Sequence, residues 1–233
     1  MAIAQSVLTS ASSTVNSVST YVTASVSPAA DSLLVASLVY VVTGGATDTV
    51  AGLGLTWTQQ KTIAISGSTR ITVWTAPAGA SPGSGALTFT HSANGATESG
   101  VWTVLQITGQ DVAAPVVQAV NANATNANAA VTFAAAGAAA NRMFSWTGAN
   151  DSVTYTPVGS YTEIVDHVEN SPSCSEQVQW RSDATDTSAG ATLSLGTASW
   201  GMVGLEIKAA AASLFPQGQI LGDRAALPRA SVW

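Results

Sequence analysis

Apolar and polar residues alternate along most of this chain with a period of two. In the segment TRITVW, Ile71 and Val73 fall on one face of a strand, whereas Thr72 and Trp74 fall on the other. We therefore expect Ile71 and Val73 to point into a core. Similar runs, rich in β-branched and aromatic residues and bounded by Gly, Pro, Asn, Asp and Ser, are typical of strands. The pattern predicts strands over 14–26, 32–43, 55–65, 69–75, 86–90, 100–107, 115–121, 129–134, 142–148, 161–167, 176–181, 192–195 and 200–208.

About a dozen strands at this spacing predict an all-β fold, a two-sheet antiparallel β-sandwich of jelly-roll-like type. Residues 14–208 are expected to form a single domain. An N-terminal segment, 1–13, precedes it, and an irregular, extended C-terminal arm, 209–233, follows it.

The two halves of the chain share a succession of features. Residues 57–109 and 160–208 each run from an aromatic-led strand through a strand with a tryptophan and a turn of small residues to a long closing strand. Trp74 then matches Trp180, and Trp102 matches Trp200. The sequence predicts either a pseudo-duplicated sandwich, with equivalent hairpins packed together, or a β-rich chain whose Gly and Ser spacing imitates a repeat.

Charge is scarce and narrows the range of functions. Only 9% of the residues are charged and the net charge is −6, with seven Lys and Arg in total, against about 25% charged residues in an average domain. This composition disfavours binding to nucleic acid or to a membrane surface. The N-terminus has no basic region followed by an apolar one, so we expect no export signal. The single cysteine, Cys174, excludes an intramolecular disulfide.

Catalytic and metal-binding candidates are few. No GxSxG motif accompanies the two histidines, His91 and His167. Asp166 and His167 are neighbours that point to opposite faces if they lie in a strand, so at most His167 and Glu169 share a face. Asp183 and Asp186 either bind Ca²⁺ weakly or form a polar hairpin tip. We expect no catalytic, cofactor or metal site, and therefore no enzyme.

Glycoside hydrolysis needs two carboxyl groups that converge across a cleft. No such pair can be chosen among the thirteen acidic residues of the chain. Glu163, Glu176 and Glu206 lie on predicted strands and are the acids to inspect.

Two of the seven tryptophans are candidates for glycan contact. Most tryptophans on strands fill a core or its rim. Trp57 and Trp74, however, lie on the side opposite to the aliphatic neighbours in their strands. We expect these two to be the most exposed and able to stack on a sugar ring.

The C-terminal arm combines isolated large apolar residues with Pro, Gly and two arginines. It is too apolar to remain in water and has no period that would make it amphipathic. It is predicted to be an assembly arm, the alternative being a strap on its own domain. The candidate contact residues are Leu214, Phe215, Ile220, Leu221, Arg224, Leu227, Arg229 and Trp233.

Several segments resemble a β-sandwich module common in structural proteins of tailed phages and prophages. The matching elements are the "LLV" strand in 30–42, the "G-TWT" element in 54–58, the "v-vw-A" strand in 71–76 and the strand ending in a "G-D" turn in 102–111. The resemblance covers roughly residues 15–208. It implies a virion component: a capsid decoration or cement protein, a head fibre, or a tail or baseplate accessory.

From this resemblance we expect a capsid decoration or cement protein, made in the bacterial cytoplasm and located in the virion. Its expected partners are copies of itself and the major capsid protein or another virion protein, reached through the C-terminal arm. The alternative is a tail or head-fibre adhesin that binds a host surface glycan for attachment. The third hypothesis, and the most remote, is a polysaccharide-active enzyme.

Overall fold

The computed structural model describes residues 2–41, 48–91 and 98–211, which form sixteen β-strands and no helix. The expected all-β class is confirmed. No helix in this part of the chain is long and apolar enough to cross a membrane. The strands are β1 Ala4–Ser13, β2 Thr20–Val22, β3 Leu33–Val41, β4 Asp48–Gly52, β5 Thr58–Ala64, β6 Thr69–Pro77, β7 Leu87–His91, β8 Ser99–Thr108, β9 Val116–Thr125, β10 Asn128–Thr132, β11 Arg142–Ala149, β12 Tyr155–Pro157, β13 Thr162–Asn170, β14 Ser173–Arg181, β15 Ser188–Leu193 and β16 Ser199–Ile207.

The strands form four antiparallel sheets rather than the two expected. The first half of the chain, β1 to β8, has a five-stranded sheet of order β1-β8-β3-β6-β5 and a three-stranded sheet of order β2-β7-β4. The second half, β9 to β16, has the orders β13-β14-β11-β16-β9 and β10-β15-β12. Read from β9, these are the orders of the first half with every strand number increased by eight.

The internal correspondence extends to the register of the strands. In β5 the pairing with β6 shifts between Gln59 and Lys61, and in β13 the pairing with β14 shifts between Glu163 and Val165. Each shift is a β-bulge, in which one extra residue interrupts the alternation of side chains between the two faces. Both halves therefore carry a bulge at the same place in their edge strand.

This register corrects one detail of the predicted repeat. Gln59 lies opposite Trp74, and its counterpart Glu163 lies opposite Gln179. The structural counterpart of Trp74 is thus Gln179 rather than Trp180. Trp74 belongs to the outer core of the first half, whereas Trp180 packs against the central core.

Three hydrophobic cores hold the layers together. The two five-stranded sheets pack face to face around a central core, and each three-stranded sheet covers the outer face of its own five-stranded sheet. Ile71 and Val73 point into the central core, as expected. Thr72 and Trp74 on the opposite face are buried as well, because the outer sheet covers them. The central core includes Leu33, Val35, Val39, Ile71, Val73, Val101, Leu105, Ile107, Phe144, Trp146, Val178, Val203, Leu205 and Ile207.

The domain begins earlier than expected. β1 pairs with β8 along its length, so residues 4–13 belong to the sandwich and not to a separate N-terminal segment. The mostly polar sequence AQSVLTSASS conceals this strand because it lies at a sheet edge and is only partly buried. At the other end the last strand finishes at Ile207, and residues 212–233 lie outside the described residues.

Candidate functional site

Trp57 and Trp74, the two predicted glycan contacts, line one cavity of about 380 Å³. It lies in the first half, where β4 and the bulged edge strand β5 meet β6. We call it the Trp57 cavity, and its lining residues are Asp48, Thr49, Val50, Trp57, Gln59 and Trp74.

The bulge in β5 shapes this cavity. Gln59 is the last residue before the register shift and lies opposite Trp74 on the neighbouring strand. Trp57 immediately precedes β5, so it lies beside the same row. The sequence brings Trp57 and Gln59 together because residues two apart in an extended chain share a face.

Asp48 supplies the only carboxylate among the lining residues of this cavity. The side chain is buried, and Tyr40 Oη and Thr72 Oγ1 both donate hydrogen bonds to it, the second at 2.7 Å. Burial, and then the hydrogen bond to Asp48, raise the pKa of Tyr40 far above its ordinary value. The tyrosine therefore remains a neutral donor, and Asp48 is a fixed acceptor in the wall of the cavity.

The two tryptophans differ in accessibility. Trp74 is only 2% exposed and packs against Phe89, with ring centroids 5.9 Å apart. The expected exposure of Trp74 is therefore wrong, because the outer sheet covers the face on which it lies. Trp57 is partly buried, and its indole Nε1 is buried with no hydrogen-bond partner among the described residues. Trp57 is the aromatic residue of this cavity that a ligand can reach.

The two histidines lie in different halves of the described chain, His91 on β7 and His167 on β13. His91 is buried between Tyr21 and Tyr40, at ring-centroid distances of 5.4 and 5.5 Å. His167 Nδ1 lies 3.5 Å from Ser10 Oγ at the margin between the two halves. Within the described ranges, no group of three or more His, Cys, Asp or Glu side chains is placed to hold a metal ion.

Asp183 and Asp186 are bound by an arginine. Arg181 Nε lies 2.9 Å from Asp183 Oδ1, and Arg181 Nη1 lies 2.6 Å from Asp186 Oδ2. The hydrogen bonds from Thr185, followed by Arg181, lower the pKa of Asp183. A guanidinium that occupies these oxygens favours the polar hairpin tip over the weak calcium site.

The three acids on predicted strands do not converge. Glu206 is buried and accepts hydrogen bonds of 2.6 Å from Asn141 Nδ2 and Gln118 Nε2. Glu176 is buried elsewhere, where Thr103 donates to it, and Glu163 is exposed. Glu176 and Glu206 share none of these partners, so they do not form the carboxylate pair of a glycosidase. The number of carboxylates that the fold buries was not visible in the sequence, where a glutamate on a strand is usually solvated.

Comparison with known proteins returned no match to a family model, to a curated protein or to a solved structure. The eight candidate residues of the C-terminal arm lie outside the described part of the chain. The Trp57 cavity and the edges of the five-stranded sheets are the features of the described chain that bear on function. A partly exposed indole ring beside amide and hydroxyl groups is suited to stacking on a polyhydroxylated ligand.

Proposed function

We propose that the protein is a virion structural protein of a tailed phage, a capsid decoration or cement protein that assembles as an oligomer. The observation that carries this proposal is the composition of two edge strands. β1 and β9 are each ten residues long, lie at the edges of the five-stranded sheets, and contain neither a charged residue nor proline. An edge strand of this kind presents unpaired backbone groups on which another chain can form hydrogen bonds.

The opposite edges of the same sheets are charged. β5 carries Lys61, and β13 carries Glu163, Asp166 and Glu169. Charged residues on an edge strand discourage pairing with a second sheet. Each five-stranded sheet thus has one protected edge and one edge that is open to pairing.

The side chains on the open edges also favour association. Val7 on β1 is 40% exposed and Val117 on β9 is 50% exposed. Their neighbours on both strands are mostly Ser, Thr, Ala and Asn. Such short side chains lose little conformational entropy when a neighbouring subunit covers them.

The proposed partners are copies of this chain and the major capsid protein or another virion protein. The proposed location is the virion, after synthesis in the bacterial cytoplasm. The resemblance to phage β-sandwich modules and the uncharged edge strands support this assignment. The C-terminal arm is proposed to reach the neighbouring protein.

A charge introduced on each open edge strand tests whether these edges form the oligomer. We expect Val7→Lys and Val117→Lys to lower the sedimentation coefficient of the assembled protein without changing its far-ultraviolet circular dichroism. Leu195→Lys is the control, because Leu195 is 47% exposed but follows β15 in a turn. A monomeric wild-type protein, or an unchanged oligomer in both edge variants, contradicts the proposal.

Removal of residues 212–233 tests the role of the arm. All sixteen strands lie before residue 212, so the shortened protein should fold. We expect it to fail to join the particle. Full incorporation of the shortened protein would rule out docking through the arm.

The second candidate function is that of a tail or head-fibre adhesin that binds host surface glycan. The Trp57 cavity favours it, since it joins an accessible indole to Gln59, Thr49 and Asp48. Trp57→Ala should abolish binding on a glycan array, because it removes the ring on which a sugar would stack. An array without any hit for the wild-type protein contradicts this function.

We also propose that the β-sandwich is jelly-roll-like and that its two halves are a pseudo-duplication. The identical strand orders and the matching bulges in β5 and β13 support a common plan. If this is right, separate sequence profiles of residues 2–111 and 112–211, built from homologous sequences, should detect each other. Profiles that never align would argue against duplication.

A further inference from the structure

We propose a binding site for a hard divalent cation, of the Ca²⁺ class, on the outer face of the second five-stranded sheet, with Glu163, Asp166 and Gln177 as its protein ligands. The site lies between β13 and β14. It is the counterpart, in the second half, of the position that the Trp57 cavity occupies in the first.

The bulge in β13 creates the site. Glu163 and Asp166 are three residues apart and would point to opposite faces of a regular strand. The register shift between Glu163 and Val165 adds one residue, so Glu163 lies opposite Gln179 and Asp166 lies opposite Gln177 on the same face. Bulges commonly redirect side chains beside functional sites.

Two rows of polar side chains cross three adjacent strands here. One row contains Thr147, Gln177 and Asp166, and the other contains Ser145, Gln179 and Glu163. Thr147, Ser145, Gln177 and Gln179 are fully buried beneath the outer sheet. We call these six residues the polar patch.

The hydrogen bonds of the polar patch occupy the side-chain amide donors of Gln177 and Gln179, whereas several oxygen acceptors have no partner. Gln177 Nε2 donates to Glu163 Oε2 at 3.1 Å, and Gln179 Nε2 donates to Ser145 Oγ at 2.9 Å. The backbone N–H of Tyr155 donates to Asp166 Oδ2 at 2.9 Å.

Four further oxygens of the polar patch are buried without a partner among the described residues. They are Asp166 Oδ1, Gln177 Oε1, Gln179 Oε1 and Thr147 Oγ1. Three of these belong to carboxylate or amide groups and can only accept. A buried acceptor without a partner destabilises the folded state, because it has lost its hydrogen bonds to water. A cation satisfies several of them at once.

The two neighbouring carboxylates also favour a bound cation. Glu163 and Asp166 lie together, and neither takes part in any of the three ion pairs found among the described residues. Arg181 at the end of β14 is already held by Asp183 and Asp186. Among the described residues, neither carboxylate is therefore held in an ion pair, and the positive charge that acts on Asp166 from its own strand is that of His167.

Carboxylate and amide oxygens are ligands suited to Ca²⁺, which accepts six to eight oxygens in flexible geometry. Mg²⁺ requires a nearly ideal octahedron and retains most of its water. Glu163 is exposed, so the open side of the site can supply water ligands. Asp166 Oδ1, Gln177 Oε1 and the Glu163 carboxylate provide the protein side.

Calorimetric titration of the full-length, EDTA-treated protein with CaCl₂ tests the proposal. We expect one site, and a melting temperature that rises by about 5 °C when free Ca²⁺ is about a hundred times its dissociation constant. Asp166→Asn should weaken the affinity at least tenfold. Glu163→Gln, at an exposed position where misfolding is not expected, should also weaken it.

Asp183→Asn is the matched control, because Asp183 is an acid of the same half that is bound by Arg181. It should retain the affinity for Ca²⁺. Absence of binding by the wild-type protein overturns the proposal, and so does binding that survives both Asp166→Asn and Glu163→Gln. Loss of binding in Asp183→Asn alone would place the cation at the hairpin tip and would equally overturn it.

Discussion

Thr103 Oγ1 donates a hydrogen bond of 2.8 Å to Glu176 Oε2 across the interface between the two halves. Thr103 lies on β8 and Glu176 on β14, and both side chains are fully buried. Burial raises the pKa of Glu176 to about 7, although the hydroxyls of Ser37 and Thr103 oppose the shift. The contact that joins the two halves therefore changes its charge near neutral pH.

This pKa predicts that stability falls as pH rises. The ordinary pKa of a glutamate is 4.5, and that of Glu176 in the folded protein is about 7. Between these values the unfolded state has lost the proton that the folded state retains, so each step upward favours unfolding. The contribution of Glu176 to the free energy of unfolding is fully present below its pKa in the unfolded state. It is lost as the pH rises through its pKa in the folded state. It amounts to about 3 kcal/mol.

Urea unfolding at about pH 5 and about pH 8 measures this difference. Glu176→Gln should remove it, because the amide does not titrate. Asp111→Asn is the control: Lys208, followed by the backbone amides of Ala114 and Ala113, holds the pKa of Asp111 at about 2, outside this range. An equal pH dependence in wild type and Glu176→Gln would show that another group is responsible.

Gly148→Ala should loosen the interface between the halves. A Cβ atom added to Gly148 on β11 would lie 2.6 Å from Val39 Cγ2 and 3.1 Å from Ile65 Cδ1, both in the first half. Overpacking of a core costs about 1–3 kcal/mol, which thermal or urea unfolding can resolve. Gly196→Ala meets nothing within 4 Å and should be nearly neutral. A neutral Gly148→Ala would mean that the two five-stranded sheets are not in close contact.

Trp74→Ala should act on stability rather than on recognition. The side chain is buried in the outer core, so its removal should cost about 3–5 kcal/mol. Trp57→Ala should cost less because Trp57 is only partly buried. Chemical unfolding of both variants checks the order. A larger loss for Trp57→Ala would reverse the assignment of which tryptophan a ligand can reach.

Arg181→Gln should weaken the hairpin tip modestly. Arg181 is mostly buried, and it pairs with two aspartates that are 39% exposed. Partly exposed pairs contribute about 1 kcal/mol or less, and salt reduces this. The loss should therefore shrink at high NaCl concentration. Lys61→Gln is the control, since Lys61 belongs to none of the ion pairs found in the described ranges, and a loss of the same size there would contradict the role of the ion pairs.

The alternation of side chains was sufficient to predict strands but not which sheet each strand joins. Ile71 and Val73 were correctly expected to point into a core, because a period of two separates them from Thr72 and Trp74. The burial of Trp74 was missed because a sequence does not show that a second sheet covers the other face. The edge strand β1 was missed for the converse reason: it needs apolar side chains only where it meets a core.

The candidate site depends even more on tertiary structure. Trp57 and Trp74 were nominated from the sequence, and the fold brings them to one cavity with opposite degrees of exposure. Glu163 and Asp166, by contrast, would lie on opposite faces of a regular strand, because they are three residues apart. Only the register between β13 and β14 reveals the bulge that places both on one face.

The sequence by itself determined the all-β class, since residue alternation and β-branched runs are local properties of the chain. It also determined the scarcity of charge, since only 9% of the residues are charged. The tertiary structure alone decided that there are four sheets, where the bulges fall, and that Thr103 meets Glu176 across 73 residues of sequence. These features depend on pairing between distant strands, and the energy of such pairing is set by which residues become neighbours after folding.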